Sequence, residues 1–159
     1  GLSWHTNSKT SQAFNRNINL NNLLQPLKNY DVEFVSLQYG NVSEDISNLR
    51  SNYDINVKNI SDLDCYNDID GLAALISVCN CVITIDNLTA HLAGALGVDT
   101  RLLLPFMADE RWGSNTKQSY WYDNIKLYRQ VNKGDWKRSL ENLINDLKKD
   151  KLINISHEY

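Results

Sequence analysis

The stretch from Cys81 to Gly97 constrains the fold more than any other part of the chain. Cys81-Val82-Ile83-Thr84-Ile85 is a short run of mostly apolar, β-branched residues. Such a run suits a strand buried on both faces of a parallel sheet. Asp86 closes it, a helical segment follows to Leu96, and Gly97 supplies the C-terminal stop. A strand of this kind needs parallel neighbours at its sides and helices above and below.

The rest of the sequence supplies those elements in alternation. Leu2 to Trp4 reads as the end of a strand, and residues 5–17 as a polar loop. Asn19 is placed to cap a short helix carrying Leu20, Leu23, Leu24 and Leu27. Residues 32–37 read as a strand ending at Gln38-Tyr39-Gly40. Ser43 is expected to cap a polar helix with Glu44 and Asp45 in its first turn. A short strand over 55–60 precedes a helix on which Ile69, Leu72, Ala73, Ile76 and Cys79 share a face. Arg101 to Leu104 is a second buried strand, stopped by Pro105. An aromatic loop spans 106–124, and Ile125 to Tyr128 is the last strand. Asp135 then caps a helix with Trp136, Leu140, Leu143, Ile144 and Leu147 on one side. Short connections between alternating elements predict an α/β, Rossmann-like parallel sheet with helices on both faces.

At 159 residues the chain has material for one domain, 1–159. A net charge of −3 gives it no global attraction to nucleic acid or anionic membrane, and no apolar run reaches the length of a membrane span. No secretion signal is visible, and Cys65, Cys79 and Cys81 lack the spacing of a zinc site. These features predict buried thiols in a reducing, cytoplasmic setting. The chain opens without Met on what reads as a strand, which suggests a piece of a longer protein.

Ligands of open α/β sheets bind beyond the carboxyl ends of the strands. Here those ends are Trp4-His5, Gln38-Tyr39, Asp86-Asn87 and Pro105-Phe106-Met107. The first amides of the helix after Asp86 lack intrahelical partners and carry the positive end of the dipole, which suits a diphosphate. Thr89 would add a hydroxyl. Ala90, Ala93, Gly94 and Ala95 let the helix lie close to its neighbours, and Gly94, unfavourable in a helix interior, implies a packing reason. The alternative is an ordinary helix with Asp86 or Asn87 as its cap. His91 is either a neutral core histidine or a donor near the ligand. Lys9 and Arg16 could each meet phosphate, and only Arg can do so bidentately. Trp112, Tyr120, Trp121 and Tyr122 either stack on a ligand ring, fill a domain interface or cover the sheet edge.

These residues resemble a known family. Gly1-Leu2-Ser3-Trp4, Asn15-Arg16-Asn17-Ile18-Asn19-Leu20, Phe34 through Gly40 and Asp86 through Gly97 are similar to the C-terminal half of family 9 glycosyltransferases, the heptosyltransferase-like group. The version at the end of tetratricopeptide-repeat proteins is nearest. The Asp86 segment resembles its Asp-x-x-x-Ala-His-Leu-Ala-Gly-Ala-Leu-Gly signature. Downstream, Leu103 to Phe106, Asp109 with Arg111-Trp112, Trp121-Tyr122, Leu127 to Gln130 and Gly134-Asp135-Trp136 fit in order.

The resemblance implies the donor-binding half of a GT-B glycosyltransferase, with a nucleotide diphosphate sugar as ligand and no metal or other cofactor. Asp86, Asn87, Leu88 and Thr89 would meet the diphosphate and sugar, with Ser3, Trp4 and Gln38 at the adjoining strand ends. Arg16 would bind phosphate, His91 would support the helix start, and Asp68, Ile69, Asp70 and Gly71 would lie near the nucleobase. The acceptor and the catalytic base would belong to an N-terminal domain of the same protein. Heptosyltransferases usually carry Asp-Thr-Gly where this chain has Asp86-Asn87-Leu88, and Lys where it has Tyr39, so the likeness does not extend to the identity of sugar or nucleotide. Asp62-Leu63-Asp64 and Asp68-Ile69-Asp70 match the D-x-D spacing of metal-dependent sugar transferases but lack further oxygen ligands nearby. Two other activities fit such a fold: a non-catalytic interaction module and a sugar-nucleotide epimerase.

Overall fold

The computed structural model describes residues 1–8 and 13–155. Among them, strands β1 (Leu2–Ser3), β2 (Phe34–Val35), β3 (Val57–Lys58), β4 (Val82–Ile85), β5 (Thr100–Leu104) and β6 (Ile125–Arg129) alternate with helices α1 (Leu20–Leu24), α2 (Ser43–Tyr53), α3 (Ile69–Ser77), α4 (Leu88–Ala95) and α5 (Lys137–Lys149). All strand pairs are parallel. β1-β4-β5-β6 form one ladder and β2-β3 another. A parallel bridge between Leu2 and Ser36 joins the two, reinforced by the Leu37 N–H donating to the Leu2 carbonyl at 2.8 Å. The resulting order, β3-β2-β1-β4-β5-β6, is that of dinucleotide-binding folds.

Side chains alternate along the strands and so divide the core between two faces. Ile83, Ile85, Leu103 and Tyr128 turn to the face covered by Leu23 and Leu24 of α1, Leu49 of α2 and Leu143 of α5. Leu102, Leu104, Ile125 and Leu127 turn to the other, where Ala90 of α4 and Trp112 meet them. Val82 completes that second face with Leu72 and Ile76 of α3 and Ala93 of α4. Helices therefore cover both faces, as the sequence predicts.

Local details differ from the sequence expectations at several ends. The strand expected over 32–37 forms a ladder only at Phe34–Val35, extended by the Leu2–Ser36 bridge, and that over 55–60 only at Val57–Lys58. Ser43 is the first residue of α2 rather than its cap. Val42 holds the cap position, and the Ser43 N–H is taken by the Asn41 side chain. Trp136 likewise caps α5 by position, while Asp135 accepts from the Lys137 N–H at 2.9 Å. Asn19 caps α1 as expected. The three cysteines are unpaired and half-buried rather than fully enclosed.

Gly94 shows the packing reason that its place in a helix implies. A Cβ there would stand 2.6 Å from Tyr122 Cγ and 2.9 Å from Ile125 Cδ1. The first contact is with the stem of a ring, which cannot swing aside. Gly94→Ala gains about 1 kcal/mol of helix propensity against roughly 1–3 kcal/mol of overpacking. We expect a net loss of about 1 kcal/mol, a fall in Tm of roughly 2–4 °C. Thermal unfolding checks this, and an alanine variant as stable as the parent would show the fit is loose.

Candidate functional site

The strand order reverses between β1 and β4, and open α/β sheets bind ligands in the crevice at that point. α4 starts at the carboxyl end of β4, inside this crevice. Asn87 holds its cap position, yet its side chain makes no capping bond. It turns back to the strands, donating from Nδ2 to Ser3 Oγ at 2.8 Å and accepting from Thr84 Oγ1 at 3.1 Å. The Asp86 carboxylate does not cap the helix either. Asn87 is thus the cap by position only, and among the described residues neither side chain bonds the leading amides of α4.

Asp86 is 4% exposed. Its Oδ1 accepts from Trp112 Nε1 at 2.9 Å. Its Oδ2 lies 3.4 Å from Arg16 Nη1, an ion-pair distance without hydrogen-bond geometry. Among the described residues this enclosed oxygen accepts no hydrogen bond. Arg16, at the end of the 3₁₀ turn Ala13–Arg16, donates from Nη1 to the Asp86 carbonyl at 3.2 Å. Arg16 and the start of α4 thus converge on one spot from positions 70 residues apart.

His91 stacks on Trp112, with ring centroids 5.0 Å apart and an interplanar angle of 26°. Its Nδ1 lies 3.2 Å from the Tyr122 hydroxyl. Burial, and then the nearby Arg111 guanidinium, lower its pKa from the ordinary value, so the ring is neutral at pH 7. It serves as a wedge between α4 and Trp112.

Ser3, Trp4 and Gln38 assemble beside Asn87. Gln38 Oε1 accepts from the Trp4 and His5 N–H groups at 2.8 and 3.0 Å and from Ser3 Oγ at 3.1 Å. Its Nε2 donates to the His5 and Tyr39 carbonyls. The amide is fully engaged and fixes the ends of β1 and β2. Trp4 is buried, with its indole N–H on Asp45 Oδ2 at 2.9 Å. Thr89 is buried on α4, whereas Leu88 at its first position is 54% exposed. Asp68, Ile69, Asp70 and Gly71 open α3 after β3. Asp68 Oδ1 caps that helix through the Gly71 N–H at 2.8 Å, and Ile69 and Asp70 face solvent. Asp64 of the other D-x-D pair accepts from the Tyr66 and Asn67 N–H groups and from Asn67 Nδ2. Lys9 lies outside the described residues.

Two residues named in the sequence take roles at this site that the sequence left open. Trp112 is wholly buried, and its bond to Asp86 is the carboxylate's one direct hydrogen bond among the described residues. Arg111 pairs with Asp109 at 2.8 Å, and its bonds hold that carboxyl down to about 2. Its charge is felt at His91, and that of Arg16 at Asp109. Asp109 with Arg111-Trp112 is legible as a motif a few residues past β5, but its approach to Asp86 and His91 is a tertiary fact. A separate groove of about 520 Å³ runs along the opposite, amino edge of the sheet, and none of the Asp86 group lines it.

No family model matches the chain. Among curated proteins, Protein FlbA of Caulobacter vibrioides is 29% identical over 109 residues, 69% of this chain and 18% of that protein. Among solved structures, the E. coli heptosyltransferase WaaC with ADP is similar with a TM-score of 0.64 at 12% identity, covering 94% of this chain and 43% of that one. The chain thus spans about a fifth of its curated relative and less than half of the solved neighbour. The fold is the Rossmann-like α/β arrangement of a GT-B glycosyltransferase half.

Proposed function

We propose that the chain, over 1–159, is the nucleotide-sugar donor-binding domain of a glycosyltransferase. The observation that carries this reading is the uncapped start of α4 at the switch point, with Arg16 held against it. A diphosphate there would receive the α4 amides and the guanidinium of Arg16, with Arg111 nearby. That the solved neighbour carries ADP supports a nucleoside diphosphate as the ligand.

The mechanism is electrostatic. Negative charge grows on the departing diphosphate as the sugar bond breaks, and prearranged amides and guanidinium groups stabilise it without reorganising. These charges do the task a divalent cation performs in metal-dependent transferases, in keeping with a metal-independent reaction. A base activates the acceptor hydroxyl. We place that base, and the acceptor site, in an N-terminal domain of the full protein.

The test is calorimetric titration with UDP, ADP, GDP and CDP, with and without magnesium. One of the four should bind without metal. At about 100 times its Kd it should stabilise the fold by about 2.7 kcal/mol, raising Tm by roughly 5–10 °C. The isolated chain should transfer nothing from any donor. Failure of all four to bind, or to raise Tm, would remove the donor reading and favour an interaction module. Transfer by the isolated chain would show that the base lies within it.

A further inference from the structure

The loop that carries Arg16 is stitched together at its root. The Ile18 N–H donates to the Trp4 carbonyl at 3.0 Å. One step outward, Thr6 and Asn17 pair reciprocally. The Thr6 N–H donates to Asn17 Oδ1 at 2.8 Å, and Asn17 Nδ2 donates to the Thr6 carbonyl at 3.4 Å. Arg16 is the chain neighbour of Asn17, so the stitch sets where its stem begins. From there its Nη1 reaches the Asp86 carbonyl at 3.2 Å.

A further tie comes from a different strand end. Tyr39 stands just past β2. Its hydroxyl accepts from the Asn7 N–H at 2.8 Å and donates to Thr6 Oγ1 at 3.3 Å, across 32 and 33 residues of chain. Thr6 Oγ1 also accepts from the Ser8 N–H at 3.3 Å. The Tyr39 ring lies between His5 and Tyr66, with centroids 6.0 and 5.6 Å away. A phenylalanine would keep both ring contacts. Only the hydroxyl reaches the loop.

These ties bear on binding through entropy. An arginine on a free loop must lose backbone and rotamer freedom when it meets an anion, and that loss is subtracted from its affinity. A loop already fixed at its root has less to lose. We propose, on the donor reading above, that Tyr39 and Asn17 are positioning residues, which hold the root of this loop so that Arg16 stands ready at the start of α4. Their effect on a bound diphosphate runs through Arg16 alone. Asn17 does this from inside the loop, and Tyr39 from the neighbouring strand end.

The experiment has two readouts on Tyr39→Phe, which deletes the hydroxyl and spares the ring. Trypsin cleavage of the ligand-free chain after Arg16, followed by mass spectrometry, reports opening of the loop. It should quicken about three- to tenfold, the population change for one lost hydrogen bond. Calorimetry then compares inorganic pyrophosphate with ADP, UDP, GDP and CDP. Tyr39→Phe should weaken pyrophosphate and the tightest nucleotide by a similar factor, and Asn17→Ala should do the same. In an Arg16→Ala background neither substitution should weaken them further. An unchanged cleavage rate or an unchanged pyrophosphate Kd in Tyr39→Phe overturns the proposal and leaves the diphosphate site standing. An equal loss with Arg16 absent also overturns it, because the hydroxyl would then act by another path. If neither pyrophosphate nor any nucleotide binds the parent chain, the donor reading fails and the positioning role with it, whatever the cleavage rate.

Discussion

Trp112→Ala should destabilise the fold by about 3–5 kcal/mol, the largest stability loss we expect from a single substitution near the site. The indole is fully enclosed, packed with Ala90, Leu102, Leu104, Ile125 and Leu127. Its removal leaves a cavity between α4 and the second face of the sheet. It also strips the Trp112 hydrogen bond from the Asp86 carboxylate and the stacking surface from His91. Urea unfolding should show the midpoint falling with an unchanged m-value. Trp112→Phe separates the two parts. It keeps most of the packing but leaves Asp86 Oδ1 buried without a donor, at a cost of roughly 1–3 kcal/mol. A Trp112→Ala variant within about 1 kcal/mol of the parent would mean that the indole is peripheral, and the account of the Asp86 turn would have to be redrawn.

The same residue shows where sequence reading stops. The β4-α4 unit is legible because its signals are local: a β-branched run, an acid, small residues at helical spacing and Gly97, which adopts φ +74° just past the helix. Sheet order follows from alternation and short connections. The length of β2 does not, because a ladder is only as long as its neighbours. β1 and β3 hold two residues each, so Val32 and Glu33 have nothing to pair with. Asn87 is legible as the residue before a helix. That its side chain abandons the helix for Ser3, 84 residues away, is a tertiary fact. Trp112, Tyr120 and Trp121 look alike in one loop, yet the first is buried and the other two are 73% and 71% exposed. Only the register of β5 and β6 beneath the loop decides which indole goes inside.

Arg16→Ala should weaken binding of the nucleoside diphosphate by about 10- to 150-fold, the worth of hydrogen bonds to a charged group. Arg16 is a quarter exposed and its contacts are few, so the fold should survive its loss. Asp86 needs a gentler change. Asp86→Ala would orphan the Trp112 indole N–H in the core, whereas Asp86→Asn keeps an oxygen for that bond and removes only the charge. The carboxylate stands between Trp112 and Arg16 and among the described residues accepts a hydrogen bond from Trp112 alone, so its leverage on a phosphate runs through the guanidinium it holds in place. Asp86→Asn should therefore weaken nucleotide binding less than Arg16→Ala. The double variant should bind no worse than Arg16→Ala alone, a coupling of roughly 0.5–3 kcal/mol. Calorimetry on the four proteins closes the cycle. Additive losses would mean that Asp86 meets the ligand by itself. No loss in Arg16→Ala would move the diphosphate away from the start of α4 altogether.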